Sequence, residues 1–308
     1  MPSKIIDNVE LVLSNPIVVD IEWIGQQEPM RQLMACWLIV ADTDLPLTPR
    51  IVGVPGIGKT TLALAAARKR GQDVYIMQCT SDTRPEDLLV TPVLSEKGKI
   101  SYHASPLLTA AITGSIAVLD EGNRMSEKSW ASLAGLLDNR RIVESIVAGV
   151  TVKAHREFRA VVTMNDDSST YEIPDYIMSR LQPGITVGFP DRHDEMKILS
   201  YSLPFCSEDI LNRCVDFLQK AHGLDLPYSV RDGINAVRYA VKQKAMDASA
   251  DTADLLRSAV KQILGQEALD LDALAAKRER SGLHLPDMHL GDYFFPDDEL
   301  LNPDRQTD

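Results

Sequence analysis

Residues 53–60 read Gly53-Val54-Pro55-Gly56-Ile57-Gly58-Lys59-Thr60, which is a complete G-x-x-x-x-G-K-[ST] motif. A predicted strand over residues 50–54 leads into the motif, and a predicted helix over residues 59–70 begins at its end. A phosphate-binding loop requires this context. The glycines let backbone N–H groups converge on phosphate oxygens, and the positive end of the following helix adds to the attraction. The motif therefore predicts a nucleotide-binding loop.

The polar side chains of this loop have separate expected roles. Lys59 would reach the β and γ phosphates, and the hydroxyl of Thr60 would bind Mg²⁺. The loop by itself does not separate ATP from GTP, because it binds phosphates rather than the base. The expected nucleotide contacts in this stretch are Gly53, Pro55, Gly56, Ile57, Gly58, Lys59, Thr60 and Thr61.

A later apolar run, residues 116–119, ends in two adjacent carboxylates, Asp120 and Glu121. The carboxyl ends of strands in an α/β sheet face the ligand crevice, so this pair would meet the phosphates only if its strand lies beside the strand of the phosphate-binding loop. Asp120 would then hold the Mg²⁺ shell, and Glu121 would orient or deprotonate the attacking water.

Three further polar residues stand at the ends of predicted elements. Asn165 follows an apolar run over 161–164 and could bond the γ-phosphate or its attacking water. Arg180 ends the helix before the fifth predicted strand, and Arg231 begins a later helix. Each arginine has two interpretations, a surface or helix-pairing residue, or a charge-stabilising residue supplied by a neighbouring subunit.

The order of predicted elements indicates an α/β core with a parallel five-stranded sheet, because short β-branched runs alternate with helical patterns up to about Pro190. A β-hairpin is predicted over 142–153. The predicted core strands are 50–54, 74–79, 116–120, 160–164 and 185–189, and the predicted core helices are 59–70, 106–113, 127–137 and 175–181.

The pattern changes after Pro190 to apolar residues at helical spacing, which predicts a C-terminal all-helical lid domain. Its predicted helices are 191–203, 207–222, 229–246, 252–264 and 267–278. The expected organisation is an N-terminal arm over 1–22, the nucleotide-binding core over 23–190, the helical lid over 191–280 and an acidic tail over 281–308.

Composition excludes several classes of protein. The net charge of −12 disfavours generic binding of nucleic acid or anionic membranes. No apolar stretch approaches the roughly 18 residues of a membrane span, and the N-terminus lacks the basic start and apolar run of a signal peptide. The four cysteines form no Cys-x-x-Cys pair, so we expect reduced thiols. We therefore expect no membrane insertion and a cytoplasmic location.

These motifs, in this order, resemble the AAA+ ATPases, and specifically their MoxR-like and dynein-related branch, over about residues 24–264. Ile24-Gly25-Gln26 is similar to the adenine-side segment of that family. Residues 78–88, 119–124 and 136–141 add to the resemblance. Gly122, where relatives often carry a β-branched residue, departs from the pattern.

The resemblance implies a P-loop core sheet in the order 5-1-4-3-2, a helical lid and a homo-oligomeric ring, usually of six subunits. It implies ATP and Mg²⁺ as ligands, with Ile24 and Gly25 beside the adenine. It also implies that Asn165 is the sensor 1 residue, that Arg180 is a finger acting on the neighbouring subunit, and that Arg231 is the sensor 2 residue of the lid.

The leading hypothesis is a Mg²⁺-dependent ATPase that remodels a protein client, as MoxR-type chaperones do when they mature metalloenzymes or act with von Willebrand A-domain partners. One alternative is a nucleic-acid motor or restriction-type NTPase subunit, against which the net charge of −12 and the lack of a basic stripe argue. The other alternative is a nucleotide-gated assembly scaffold that hydrolyses ATP only slowly.

Overall fold

The structure is a computed structural model, and it describes residues 2–18, 20–94, 98–166 and 173–280. The strands are β1 (Ser3–Ile6), β2 (Val9–Val12), β3 (Arg50–Gly53), β4 (Val74–Gln78), β5 (Val90–Leu94), β6 (Ile100–Ala104), β7 (Ile116–Asp120), β8 (Ile142–Ser145), β9 (Val150–Lys153), β10 (Arg159–Asn165) and β11 (Gly184–Thr186). The α-helices are α1 (Gln27–Cys36), α2 (Lys59–Arg70), α3 (Pro85–Leu88), α4 (Pro106–Thr113), α5 (Glu127–Leu133), α6 (Asp175–Met178), α7 (Arg192–Ser202), α8 (Glu208–His222), α9 (Val230–Met246), α10 (Thr252–Leu264) and α11 (Leu271–Arg280). Short 3₁₀ helices cover Gly122–Arg124 and Gln266–Leu269.

In the described part of the chain, the central sheet has five parallel strands in the order β11-β3-β10-β7-β4. Numbered along the core, this is 5-1-4-3-2, so the expected order is confirmed. Every residue of β10 is buried, because helices cover both faces of the middle strand. The register pairs Asn165 with Gly53 and Asp120 with Gln78. The polar strand ends therefore lie at one edge of the sheet.

The two faces of the sheet carry separate apolar clusters. Ile116 and Val118 of β7 pack with α1 and α2, whereas Ala117 and Leu119 pack with α4 and α5. This alternation follows from the two-residue repeat of a strand. The α/β core thus has a layer of helices on each side.

A buried arginine joins α1 to the middle of the sheet. Arg159 is 2% exposed, and its Nε donates to the carbonyl of Trp37 at 2.8 Å. The indole Nε1 of Trp37 donates in turn to the carbonyl of Ala160 at 3.1 Å. Burial lowers the pKa of Arg159 to about 10, and its backbone acceptors compensate part of the desolvation.

A second sheet, with four strands among the described residues, was not predicted. Its order is β1-β2-β6-β5, and Leu11 pairs with Tyr102 in parallel. Residues 3–12 of the expected N-terminal arm therefore form strands against a hairpin from the core. The prediction missed this sheet because its parallel pair joins segments far apart in the chain, where no turn signal connects them.

The predicted hairpin over 142–153 is confirmed as β8 and β9. Its turn exposes Ile146, and the hairpin contacts the N-terminus, where Oδ2 of Asp7 accepts from the amide of Thr151 at 2.9 Å. Two core helices are shorter than predicted: α5 ends at Leu133 and α6 ends at Met178.

Residues beyond Pro190 form the predicted helical region, built on an apolar cluster that includes Leu199, Val215 and Val237. The single helix predicted over 267–278 is wrong. The chain forms Gln266–Leu269 and then α11, because Asp270 breaks the helix and its Oδ1 accepts from the amide of Ala273 at 3.0 Å. The acidic tail over 281–308 lies outside the described residues. No helix in the described ranges is both long and apolar enough to span a bilayer.

The junction between core and helical region holds a buried carboxyl group. Phe189 stacks on His222 with ring centroids 3.8 Å apart, and Nε2 of Gln219 donates to the carbonyl of Pro190 at 3.1 Å. The same Nε2 donates to Oε2 of Glu195 at 2.8 Å. Glu195 is 0% exposed, and burial raises its pKa to about 7.

We expect the Glu195→Gln variant to show a flatter dependence of stability on pH than the native chain. The fold favours the protonated carboxyl, so its stabilisation is complete below the ordinary pKa of 4.5 and is lost as the pH rises through about 7. This loss is on the order of 3 kcal/mol. Calorimetric unfolding at about pH 5 and about pH 8 measures it, with the exposed Glu208→Gln as control. Equal pH slopes for Glu195→Gln and the native chain would contradict the prediction.

Candidate functional site

The phosphate-binding loop connects β3 to α2, as predicted. Gly56 and Gly58 have φ angles of 82° and 106°, a region that side chains disfavour. A Cβ on Gly56 would also lie 2.4 Å from Oγ of Ser229, so the loop touches the beginning of α9 in the lid. The buried Nζ of Lys59 donates to the carbonyls of Gly53 and Val54 at 2.8 and 2.9 Å. These contacts hold the lysine inside the loop.

Asp120 lies directly beside the first turn of α2. Oγ1 of Thr60 donates to Oδ1 of Asp120 at 2.7 Å. A hydroxyl and a carboxylate in contact are ligands that Mg²⁺ prefers. The donor set therefore fits a magnesium ion next to the phosphate-binding loop.

We expected Asp120 to reach the phosphate-binding loop only if its strand, β7, lay beside the loop strand, β3. That expectation was wrong. β10 lies between β3 and β7, yet Asp120 reaches Thr60. Thr163 of β10 bridges the gap, because its Oγ1 donates to Oδ1 of Asp120 at 2.6 Å and accepts from the amide of Glu121 at 3.0 Å. Thr163 was not among the predicted site residues. Its position two residues before Asn165 places both on one strand face, which is the signal that could have found it.

The carboxylate of Glu121 is held at both oxygens. Nδ2 of Asn165 donates to Oε1 at 3.4 Å, and Nε of Arg124 lies 2.9 Å from Oε2. The backbone carbonyl of Asn165 accepts from Nδ2 of Asn123 at 2.9 Å. The structure therefore brings Glu121 and Asn165 together and adds Arg124, three residues after Glu121, as a partner that was not predicted.

Packing explains why Gly122 replaces a β-branched residue. A Cβ on Gly122 would lie 2.4 Å from Cγ1 of Val162 and 3.2 Å from Cζ2 of Trp130. Trp130 is completely buried and fills the space that a larger side chain would need. Glycine is thus required mainly by the close approach of Val162, with Trp130 packed on the same side.

A cavity of about 80 Å³ joins the loop, the acidic pair and the lid. Arg231 of α9 lines it together with Lys59 and Glu121, so two cationic side chains face the place where phosphates would bind. The full lining is Pro55, Gly56, Gly58, Lys59, Thr60, Thr61, Asp120, Glu121, Thr163, Asn165 and Arg231.

An adjoining cavity of about 320 Å³ lies between the loop and the lid, within the size range of small-molecule sites. Gly56, Gly58, Thr61 and Arg231 line both cavities, so the two lie side by side. Its wall is mainly apolar and suits a heterocyclic base. The other lining residues are Ile21, Glu22, Trp23, Ile24, Gln26, Ile57, Pro190, Ile198, Tyr201, Ser202, Val230 and Ile234.

Ile24 lines this larger cavity, whereas Gly25 lies behind it against the lid. The amide of Gln26 donates to Oδ2 of Asp194 at 3.1 Å, and a Cβ on Gly25 would collide with the same carboxylate. Trp23 also lines the cavity and lies against Gly58. Its Nε1 donates to the carbonyl of Gln26 at 3.0 Å.

Arg180 does not line either nucleotide cavity. It lines a separate cavity of about 560 Å³ together with Asp138, Arg140 and Arg141. Its Nη2 lies 3.6 Å from Oδ2 of Asp138, and its Nη1 donates to the carbonyl of Tyr176. Within one chain, Arg180 is thus separate from the other predicted site residues.

Comparison with known proteins follows the same motifs. Residues 50–181 match the family described as "AAA domain (dynein-related subfamily)". The chain is 31% identical to the protein CbbQ of Hydrogenophilus thermoluteolus over 37% of this chain and 42% of that protein. It is 25% identical to chaperone MoxR1 of Mycobacterium tuberculosis over 48% of this chain and 38% of that protein.

A longer match is to the mouse von Willebrand factor A domain-containing protein 8, 24% identical over 62% of this chain and 11% of that protein. The chain therefore spans less than half the length of each of these curated relatives.

Among solved structures, a mutant RuvB of Thermotoga maritima superposes with a TM-score of 0.53 at 13% identity, over 87% of this chain and 86% of that one. At this identity the match supports the fold alone. The complete phosphate-binding motif, the 5-1-4-3-2 sheet and the matched family agree with one another. Residues 50–181 are thus an AAA ATPase domain of the dynein-related subfamily, and the chain is similar to MoxR-like AAA+ proteins.

Proposed function

We propose that this protein is a Mg²⁺-dependent ATPase that works in a homo-oligomeric ring and uses hydrolysis to remodel a protein client. One observation carries the proposal. The contact of Thr60 with Asp120 and the contact of Glu121 with Asn165 face the same small cavity as Lys59 and Arg231. A metal-binding pair, a candidate base and two cations thus surround one position.

The side chains divide the work of binding in this proposal. Lys59 exchanges the carbonyls of Gly53 and Val54 for oxygens of the β and γ phosphates. Thr60 and Asp120 would hold Mg²⁺, the latter through water. Bound Mg²⁺ supplies positive charge that offsets the phosphates. The apolar wall of the larger cavity, including Ile24, receives the adenine.

Hydrolysis then needs a base and charge stabilisation. Glu121 accepts a proton from the attacking water as the water oxygen bonds to the γ phosphorus, and the bond to the bridging oxygen breaks to give ADP and phosphate. Asn165 orients the water. Arg231 from the lid and Arg180 from a neighbouring subunit offset the negative charge that builds up on the phosphates.

The chaperone activity is inferred from the family branch. One relative is named a chaperone and another carries von Willebrand A domains in its name, which supports a protein client, including one of the A-domain class. The net charge of −12 favours a protein over a nucleic acid as the client.

We expect Lys59→Ala to weaken ATP binding by at least about 100-fold, because it removes charge-assisted hydrogen bonds to two phosphates. Trp23 lines the base cavity, whereas Trp37 and Trp130 are completely buried, so tryptophan fluorescence reports binding. Lys128→Ala, exposed on α5, is the matched control, and Trp23→Phe should remove the signal. Unchanged affinity in a folded Lys59→Ala protein would refute the phosphate role of the lysine.

Glu121→Gln should retain ATP while hydrolysis falls by about 10² to 10⁴, the usual contribution of a general base. Phosphate release and Trp23 fluorescence measure the two effects, with exposed Glu127→Gln as control. Equal turnover in the variant and the native protein would remove Glu121 as the base.

The Glu121→Gln protein also tests the client, because a ring that cannot hydrolyse ATP keeps what it normally releases. Material captured by this variant in ATP and Mg²⁺ is analysed for protein and nucleic acid. A stoichiometric protein supports remodelling of a protein client. Nucleic acid that survives moderate salt would instead favour a nucleic-acid motor, and an empty but assembled ring would favour an assembly scaffold.

Arg180→Ala should lower turnover by roughly 10³ to 10⁵, the range found for arginine fingers. Because the arginine acts across an interface, mixing Arg180→Ala with Glu121→Gln should restore hydrolysis: one variant supplies the site and the other supplies the arginine. Exposed Arg31→Ala is the control. A mixture as slow as its two components would contradict action in trans.

A further inference from the structure

One carboxylate is shared by two arginines at the edge of the 560 Å³ cavity. Asp138 lies between Arg140, from the same turn, and Arg180, from the end of α6. The contact to Arg140 is close and extended: Nη2 lies 2.8 Å from Oδ2, and Nε lies 3.1 and 3.2 Å from the two carboxylate oxygens. Arg180 makes one longer contact, with its Nη2 lying 3.6 Å from Oδ2 of Asp138. Asp138 is therefore bound mainly by Arg140.

The local electrostatics agree with this ranking. The hydrogen bonds and charge of Arg140 lower the pKa of Asp138 to about 2, and the charge of Arg180 contributes less. The amide of Arg140 also donates to Oδ1 of Asp138 at 2.9 Å. The carboxylate thus keeps a bound cation even without Arg180.

No other cation lining this cavity, among the residues that the structure describes, is placed to do the same. Besides Asp138, the charged residues of the lining are Arg140, Arg141 and Arg180. Arg141 is engaged elsewhere, since its Nη2 donates to the carbonyls of His155 and Phe158 at 3.1 and 2.9 Å. Neutralisation of Asp138 therefore falls to Arg140.

Arg180 is held on its own chain by Tyr176, whose carbonyl accepts from its Nη1, and by the 3.6 Å contact with Asp138. Its guanidinium lies 5.8 Å from the ring centre of Tyr176, and its buried Nε has no hydrogen-bond partner in the described residues. If the arginine is to reach an anion on another subunit, it has to leave Asp138. An unneutralised carboxylate in this position would retain the arginine and repel an incoming phosphate.

We propose that Arg140 is a positioning residue that occupies Asp138 and so releases Arg180 to act on the γ-phosphate bound by a neighbouring subunit. This inference rests on the proposed function, in which Arg180 acts in trans. The role of Arg140 is electrostatic and indirect: it contacts neither nucleotide nor water, and it changes the charge that Arg180 leaves behind.

The test uses the mixed assembly, in which Arg180→Ala chains supply active sites and Glu121→Gln chains supply the arginine. Arg140→Ala is added to the Glu121→Gln chain, and phosphate release is measured. We expect the rate to fall by roughly 10-fold, within the range of couplings between contacting residues. Adding Asp138→Asn to the same chain should restore the rate to within about threefold, because the retaining charge is gone.

Control variants separate this role from a structural one. Arg140→Lys, which keeps the charge, should retain most of the rate of phosphate release. Arg156→Ala, which removes an exposed arginine just after the β8–β9 hairpin, should leave that rate unchanged. Unfolding temperature and Trp23 fluorescence check that each variant folds and binds ATP. A merely structural Arg140 predicts additive losses for the two substitutions, with no rescue by Asp138→Asn.

The outcomes distinguish the two proposals. If the arginine-supplying chain works equally well with Arg180→Ala, action in trans is wrong and this inference falls with it. If Arg180 is required but Arg140→Ala keeps the full rate, or its loss is not rescued by Asp138→Asn, only the role of Arg140 is overturned. If Arg140 instead contacts the phosphate directly, its loss lowers the rate and Asp138→Asn does not restore it.

Discussion

The two hydroxyl groups of Thr60 and Thr163 converge on one oxygen of Asp120, at 2.7 and 2.6 Å, and the rest of the site depends on that convergence. The contact ties the beginning of α2 to β10 and β7, which are not all neighbours in the sheet. It sets the metal-binding pair beside the phosphate-binding loop. It also fixes the backbone of Glu121, whose amide donates to Thr163 at 3.0 Å. This edge of the sheet is therefore one hydrogen-bonded unit.

The lid contributes to the same unit through close packing. Ser229 and Arg231 at the beginning of α9 approach the loop so closely that Gly56 has no room for a side chain. On the opposite side, Asp194 of α7 accepts from the amide of Gln26 at 3.1 Å, next to the wall of the base cavity. The proposed nucleotide contacts thus come from both the core and the helical region. In the proposed mechanism, a change in the bound nucleotide therefore acts directly on the contact between them.

Arg180 stands apart from this unit, and its place has a clear consequence. Because Arg180 lines a separate cavity on its own chain, the proposed chemistry uses the Arg180 of a neighbouring chain and is complete only in an assembly. Asp138 then affects the proposed contact between subunits. Arg180 lies 3.6 Å from the Asp138 carboxylate on its own chain, and in the proposal it moves to a phosphate on the next chain.

The sequence alone determined the phosphate-binding loop, the five strands of the central sheet and the acid and amide strand ends, because local patterns of two and 3.6 residues report burial directly. The tertiary structure decided what depends on chain segments meeting across a distance. It joined β2 to β6, brought Thr60 and Thr163 to one oxygen of Asp120, brought Trp23 to the cavity beside the loop and excluded a side chain at Gly122 through Val162. Such contacts follow from packing between distant segments, and no local pattern in the sequence records them.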